Sequence, residues 1–317
     1  MTRAGRAAHA ARAVMAALPA IVAIAALGAL AGAPAAVRAA VPAADLRLIH
    51  QERSLYRQVL VYEGAGERCL CFTRQCAIGR QSCIESAHPQ RLVFGYTRMM
   101  LGALLMGPPP QRILVVGLGG GTLPATLARL LPDADIDAVE IDPAVVRVAA
   151  DWFGFQPGPR LHVATEDGRT FVRRMGREGR HYDLVMLDAY DQQYIPEHML
   201  TLEFLQEVRA LLAPGGVVAA NTFSASRLYD NESVTYARAY GSYYNLRSGN
   251  RVILARPAGL PTLAQVRAAA ARLAPQLAPL GVDVDALVAL FRDTPDWDAS
   301  ARLLTDQYSP ANLLNAR

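Results

Sequence analysis

A short apolar strand running directly into glycines restricts this chain more than any other feature. Ile113-Leu114-Val115-Val116 carries no polar side chain, and Gly117-Leu118-Gly119-Gly120-Gly121 follows at once. A strand without a polar face must be covered on both sides, which calls for helices above and below a parallel sheet. The glycines allow a tight turn at the strand end and a close backbone approach to a ligand. A helical pattern over residues 123–131 comes next, then a second strand over Ile136 to Ile141. Near its end stands Glu140, about 20 residues beyond the loop, where a carboxylate accepts both hydroxyls of a ribose. Together these elements point to a bound nucleoside. They leave open a dinucleotide, S-adenosylmethionine or its decarboxylated form. Phosphate gripping by G-x-x-x-x-G-K-[ST] is excluded, because the chain contains no lysine.

The alternation continues downstream. Pro143 opens a helix at a position that tolerates proline. Leu161-His162-Val163 reads as a third strand, Leu184 to Leu187 as a fourth, and Val217 to Ala220 as a fifth after the Pro214-Gly215-Gly216 turn. Tyr243 to Leu246 and Val252 to Leu254 pattern as a closing hairpin. Upstream, residues 46–83 alternate apolar and polar side chains around a Glu63-Gly64-Ala65-Gly66 turn, as a small antiparallel β unit does. A helix is predicted over 89–106, stopping at Gly107-Pro108-Pro109-Pro110, and another over the Ala/Leu-rich residues 262–293. The expected organisation is an export or anchoring segment at 1–40, a β unit at 45–86, a nucleoside-binding α/β domain at 87–257 and a helical extension at 258–317.

Charge and cysteine content bear on partners and compartment. All 32 basic residues are arginine, and four of them (Arg3, Arg6, Arg12 and Arg38) lie in residues 1–40, which hold no acid. The other 28 match the 28 acids, so the body is neutral and no nucleic-acid face is expected. Three of those arginines precede an uncharged apolar run over residues 14–37, the layout of an export signal or a membrane anchor. Either would leave the body in the periplasm; a misassigned start codon would leave it in the cytoplasm. Cys69, Cys71, Cys76 and Cys83 fall in one short stretch, which in an exported protein predicts two disulfides with three possible pairings. Cys69 and Cys71 share a strand face and are not expected to pair with each other. The spacing matches no common zinc site.

Two further acidic clusters sit at strand ends. Glu166-Asp167-Gly168 follows the third strand, where Asp167 can accept from an adenine amino group, with Gly168 admitting the ring; Asp167 can equally cap the next helix. Tyr182 to Leu187 runs into Asp188-Ala189-Tyr190-Asp191, two carboxylates over the crevice where such sheets bind ligands.

In order and spacing, Gly117 through Glu140, Glu166-Asp167-Gly168 and Asp188-x-x-Asp191 resemble the spermidine synthase family, the polyamine aminopropyltransferases. Ser54-x-Tyr56 and Gln81-Ser82 resemble its N-terminal β-domain. Leu304-Thr305-Asp306-Gln307-Tyr308-Ser309-Pro310-Ala311-Asn312-Leu313-Leu314 resembles the tail of a bacterial spermidine synthase-like branch. The resemblance implies a class I methyltransferase-like, Rossmann-type α/β fold behind a small antiparallel unit. It implies a nucleoside site of Gly117, Gly119, Gly121, Glu140, Asp167 and Gly168, with Glu140 on the ribose and Asp167 on the adenine. By it, Asp188 is the general base, and Asp191, Gln81 and Tyr190 hold the amine acceptor. It implies no permanent cofactor and no metal, decarboxylated S-adenosylmethionine as co-substrate and a small amine such as putrescine as acceptor. It is compatible with a homodimer.

The chemistry suits these residue types. A sulfonium is already a good leaving group, so no acid is needed, whereas an attacking amine with a pKa of about 10 must lose a proton. Three positions depart from the family. Thr122 stands where the loop usually carries an acid, Asp188-Ala189-Tyr190-Asp191-Gln192 replaces D-S-S-D-P, and Phe94-Gly95-Tyr96 lacks the glutamate that usually follows. The alternatives are an S-adenosylmethionine-dependent methyltransferase and a catalytically silent nucleoside- or polyamine-binding protein.

Overall fold

The computed structural model describes residues 46–189 and 195–310. Chain contacts divide the protein into Met1–Ala39 and Ala40–Arg317, and every described element belongs to the second unit. The export or anchoring segment expected over 14–37 lies outside the described residues, as do Tyr190, Asp191 and the end of the tail motif from Ala311. Among the described residues, no helix is long and apolar enough to cross a membrane.

Strands β1 (Arg47–Arg53), β2 (Gln58–Gly64), β3 (Glu67–Cys71) and β4 (Arg80–Glu85) form an antiparallel sheet in sequential order. Val59, Leu60 and Val61 are all buried, because this small sheet is covered on both faces. Val59, Val61 and Leu70 pack on Ala144, Val145 and Val148 of helix α3 (Pro143–Phe153). Leu60 and the four cysteines pack towards Val93 and Phe94. Cys69 and Cys83 stand opposite each other in the β3–β4 register and are bonded, and Cys71 is bonded to Cys76. Cys69 and Cys71, on one strand face, are thus cross-linked to different partners.

The second sheet holds seven strands in the order β10-β11-β9-β8-β5-β6-β7. Strands β5 (Arg112–Val116), β6 (Asp135–Glu140), β7 (Leu161–Thr165), β8 (Tyr182–Leu187) and β9 (Leu212–Phe223) run parallel. The hairpin of β10 (Tyr243–Ser248) and β11 (Asn250–Ala255) closes one edge, with β11 antiparallel to β9. The apolar run of β5 is explained by its two faces. Ile113 and Val115 enter one buried core and Leu114 and Val116 the other, so no position is left for a polar side chain. Helices α1 (Gly95–Met100), α2 (Thr122–Leu130) and α7 (Leu263–Leu277) cover the first face. Helices α4 (Gly168–Arg177), α5 (Leu202–Ala210) and α6 (Tyr229–Tyr240) cover the second.

Three expected elements differ. The helix predicted over 89–106 begins only at Gly95 and tightens to a 3₁₀ turn over Leu101–Leu105. The preceding backbone groups are engaged elsewhere: the Arg91 N–H closes a turn on His88 O at 2.9 Å, the Leu92 N–H donates to Leu280 O at 2.9 Å, and Arg98 Nη1 donates to the carbonyls of Leu92 and Val93. The helix predicted over 262–293 breaks after Leu277 into a 3₁₀ turn, a left-handed Gly281 and the short α8 (Val284–Val288). Strand β9 starts before the Pro214-Gly215-Gly216 turn rather than after it. The glycines sit within the strand beside a shift in its register with β8.

Candidate active site

The strand order reverses between β5 and β8, and there a cavity of about 780 Å³ opens at their carboxyl ends. This is where parallel sheets of this kind bind ligands. The antiparallel unit supplies the facing wall through Arg57, Phe72, Arg80, Gln81 and Ser82. One bond that ties the two parts is Ser54 Oγ to Asp142 Oδ2 at 2.6 Å, beside the N-terminus of α3.

The glycine loop is built for close packing. Gly117 has φ +99°, and a Cβ there would sit 2.3 Å from the Asp188 carbonyl oxygen, so only glycine lets β5 and β8 end side by side. Gly117 and Gly119 line the cavity, but Gly121 does not. A Cβ at Gly121 would meet the Phe155 ring at 2.3 Å, so its expected place on the nucleoside is corrected to helix packing. Gly168 lines the cavity, and a Cβ there would sit 2.5 Å from Val116 Cγ1, so its lack of a side chain also serves the packing of α4 on β5.

Glu140 ends β6 on the cavity wall. Its Oε2 accepts from the Leu118 N–H at 3.1 Å and its Oε1 from the Asp142 N–H at 3.0 Å. The carboxylate therefore ties the glycine loop to its own strand and keeps lone pairs for a diol. Burial pushes its pKa up, against those two N–H groups and the nearby Arg57. Asp167 does two things at once. As the cap of α4 its Oδ1 accepts from the Thr170 N–H at 2.9 Å, and its Oδ2 pairs with His198 Nε2 at 3.0 Å. The His198 bond is the main reason its pKa falls to about 2.

Asp188 follows β8, with its N–H held by Val116 O at 2.8 Å. Its Oδ1 accepts from Asn221 Nδ2 at 2.9 Å, and the Tyr96 hydroxyl donates to the same carboxylate. Loss of water outweighs both bonds and raises its pKa to about 7. Gln81 lines the cavity from β4, and Thr122 lines it at the first position of α2. Among the described lining residues the acids are Glu140, Asp167 and Asp188. Tyr190 and Asp191, expected on the acceptor, lie outside the described residues.

Sequence reasoning missed Asn221, His198 and Arg57. Asn221 had no motif, only its place near the end of a strand. His198 belonged to no motif, and Arg57 reaches the site from the antiparallel unit.

An α/β fold of the class I methyltransferase type is thus defined by the sheet order and the glycine loop at the switch point. Residues 93–254 match the spermine/spermidine synthase domain. The chain is 46% identical over 273 residues to a polyamine aminopropyltransferase of Vibrio vulnificus, covering 84% of this chain and 91% of that protein. It is 38% identical over 148 residues to the human eEF1A lysine and N-terminal methyltransferase, covering 44% of this chain and 21% of that protein. A solved structure, a probable spermidine synthase from Corynebacterium glutamicum, superposes with a TM-score of 0.61 over 80% of this chain and 98% of its own, at 18% identity. The chain belongs to the spermine/spermidine synthase family.

Proposed function

We propose that the protein is an aminopropyltransferase of the spermidine synthase type. It moves an aminopropyl group from decarboxylated S-adenosylmethionine to a small amine such as putrescine. The observation that carries this reading is Asp188, a desolvated carboxylate with a pKa near 7 beside the nucleoside site. A base of that strength takes a proton from an ammonium far better than an ordinary aspartate.

The nitrogen lone pair attacks the carbon next to the sulfonium, and the C–S bond breaks with its electrons going to sulfur. Methylthioadenosine leaves, and the amine proton passes to Asp188. Glu140 holds the ribose hydroxyls and Asp167 the adenine amino group. Asp191, Gln81 and Tyr190 orient the acceptor. The neutral Thr122 at the loop favours a second reading, in which intact S-adenosylmethionine is the donor and a methyl group moves. Incubating residues 41–317 with each donor and a panel of amines, with products read by mass spectrometry, decides between them. Methylated product without aminopropylated product overturns the first reading.

The same proposal has the protein working outside the cytoplasm, exported or anchored through residues 14–37. Two disulfides in the β unit support it. Maleimide should label the freshly isolated native protein only after reduction. Full labelling without reduction would count against export.

A further inference from the structure

The tail motif that begins at Leu304 has no part in the reaction above, yet its described residues brace the elements that carry Asp167 and His198. We propose that residues 302–309 form a positioning strap for the donor site, in which Asp306 acts through Arg169 on His198. The proposal rests on the donor-site reading given above.

Arg169 follows Gly168 at the start of α4 and is 5% exposed. A guanidinium has five N–H donors, and here each finds an acceptor. Nε and Nη2 donate to the two oxygens of Glu207 at 2.9 and 3.0 Å. Nη1 and Nη2 donate to the two oxygens of Asp306 at 2.6 and 2.8 Å. The remaining Nη1 donor goes to the His198 carbonyl at 3.0 Å. The two carboxylates fix the plane of the guanidinium, and the plane fixes carbonyl 198.

Asp306 is held in turn. Thr201 Oγ1 donates to it at 2.7 Å, and its own N–H donates to Glu203 Oε2 at 3.0 Å. Leu304 is fully buried, its carbonyl accepting from the Leu202 N–H at 2.8 Å and its N–H donating to Thr235 Oγ1 at 3.0 Å. Thr305 and Tyr308 exchange two backbone bonds, which presents Ser309 to the Glu197 carbonyl at 2.9 Å.

The tail therefore grips the carbonyls of two successive residues, Glu197 directly and His198 through Arg169. Those residues lie in a single 3₁₀ turn, Glu197–Met199, too short to hold its own geometry. The His198 imidazole lines the cavity and pairs with Asp167. A tail that only stabilised the fold could anchor anywhere on α4 and α5. Besides its bonds to α5 and α6, this one reaches the backbone that aims the partner of Asp167.

The test uses the full chain, calorimetric titration with methylthioadenosine, and initial rates with decarboxylated S-adenosylmethionine and putrescine. Asp306→Asn should weaken methylthioadenosine binding about tenfold and raise the donor KM by a similar factor. The acceptor KM, and kcat at saturating donor, should stay within about twofold. Ser309→Ala should shift the donor KM the same way by about two- to threefold. His198→Ala combined with Asp306→Asn should add little to either change alone, because both act through one side chain. A folded Asp306→Asn protein with wild-type donor affinity, or full additivity with His198→Ala, overturns the strap. Should Asp306→Asn not fold, Ser309→Ala decides alone, and an unchanged donor KM overturns the strap. A wild type that binds no methylthioadenosine sinks the donor-site reading and the strap with it.

Discussion

Asp167 and Asp188 are the same side chain at the carboxyl ends of two strands of one sheet, and their surroundings pull them in opposite directions. Asp167 accepts from a helix N–H and from His198, and its pKa falls to about 2. Asp188 also accepts two bonds, from Asn221 and Tyr96, yet its pKa rises to about 7. The difference is water. Both residues are half-buried, but Asp188 is packed more deeply among protein atoms, and its two bonds do not make up for the hydration it loses. The contrast matches the proposed tasks. A group that holds a ligand needs a charge that does not change with pH. A group that takes a proton needs a pKa close to the working pH.

The largest expected effect would break the contrast at its reactive end. Asp188→Asn should lower kcat by about 10²–10⁴ while methylthioadenosine affinity stays near wild type. Steady-state rates and calorimetry on one preparation check it. Full activity in this variant would remove Asp188 as the base.

Next comes stability, with the sign worked out. The folded pKa of Asp188, about 7, lies above its unfolded value of about 4, so its favourable share is full at low pH and is lost as pH rises through 7. Asp188→Asn should therefore be more stable than wild type by about 2–4 kcal/mol at pH 8 and no more stable below about pH 4. Asp167 runs the other way: its share is present above about pH 4 and is lost as pH falls through 2. Asp167→Asn should cost about 1 kcal/mol at pH 7, after allowance for its exposure, since asparagine still caps α4. Urea melts should show the Asp188→Asn gap opening between pH 4 and pH 8 and the Asp167→Asn gap closing between pH 4 and pH 2, and parallel pH curves would refute both.

On the donor side, Glu140→Gln and Asp167→Asn should each weaken methylthioadenosine binding by about 1–3 kcal/mol. Wild-type affinity in both would remove the nucleoside assignment.

The smallest effect sharpens the comparison. Tyr96 donates to the ionised form of Asp188, so Tyr96→Phe should raise that pKa further. The acid limb of kcat/KM, expected near pH 7 in the wild type, should move to higher pH, with a loss of about tenfold at neutral pH. An unmoved limb would mean that another group sets it.

Much of this was legible in the chain because it depends on local rules. A run of four apolar residues before glycines requires a doubly covered strand whatever its neighbours are, and Asp142-Pro143 and Asp167-Gly168 announce helix starts by their own chemistry. Helix α5 was readable in the same way, since Thr201 caps it, although the pattern was not picked out. The strand-end acids were legible because alternating β/α units deliver strand ends to one edge. Tertiary structure decided what each acid experiences. Burial at Asp188, the approach of Asn221 and Tyr96, and the His198 partner of Asp167 join residues 31 to 92 positions apart, and no local pattern carries such distances. It also reassigned Gly121 to packing and gave Gly168 a packing constraint beside its place on the cavity, because the Phe155 ring and the Val116 methyl come from other elements. Local rules could say which residues reach the crevice. Only the packed fold could say how much water each keeps there, and that sets whether a carboxylate holds a ligand or takes a proton.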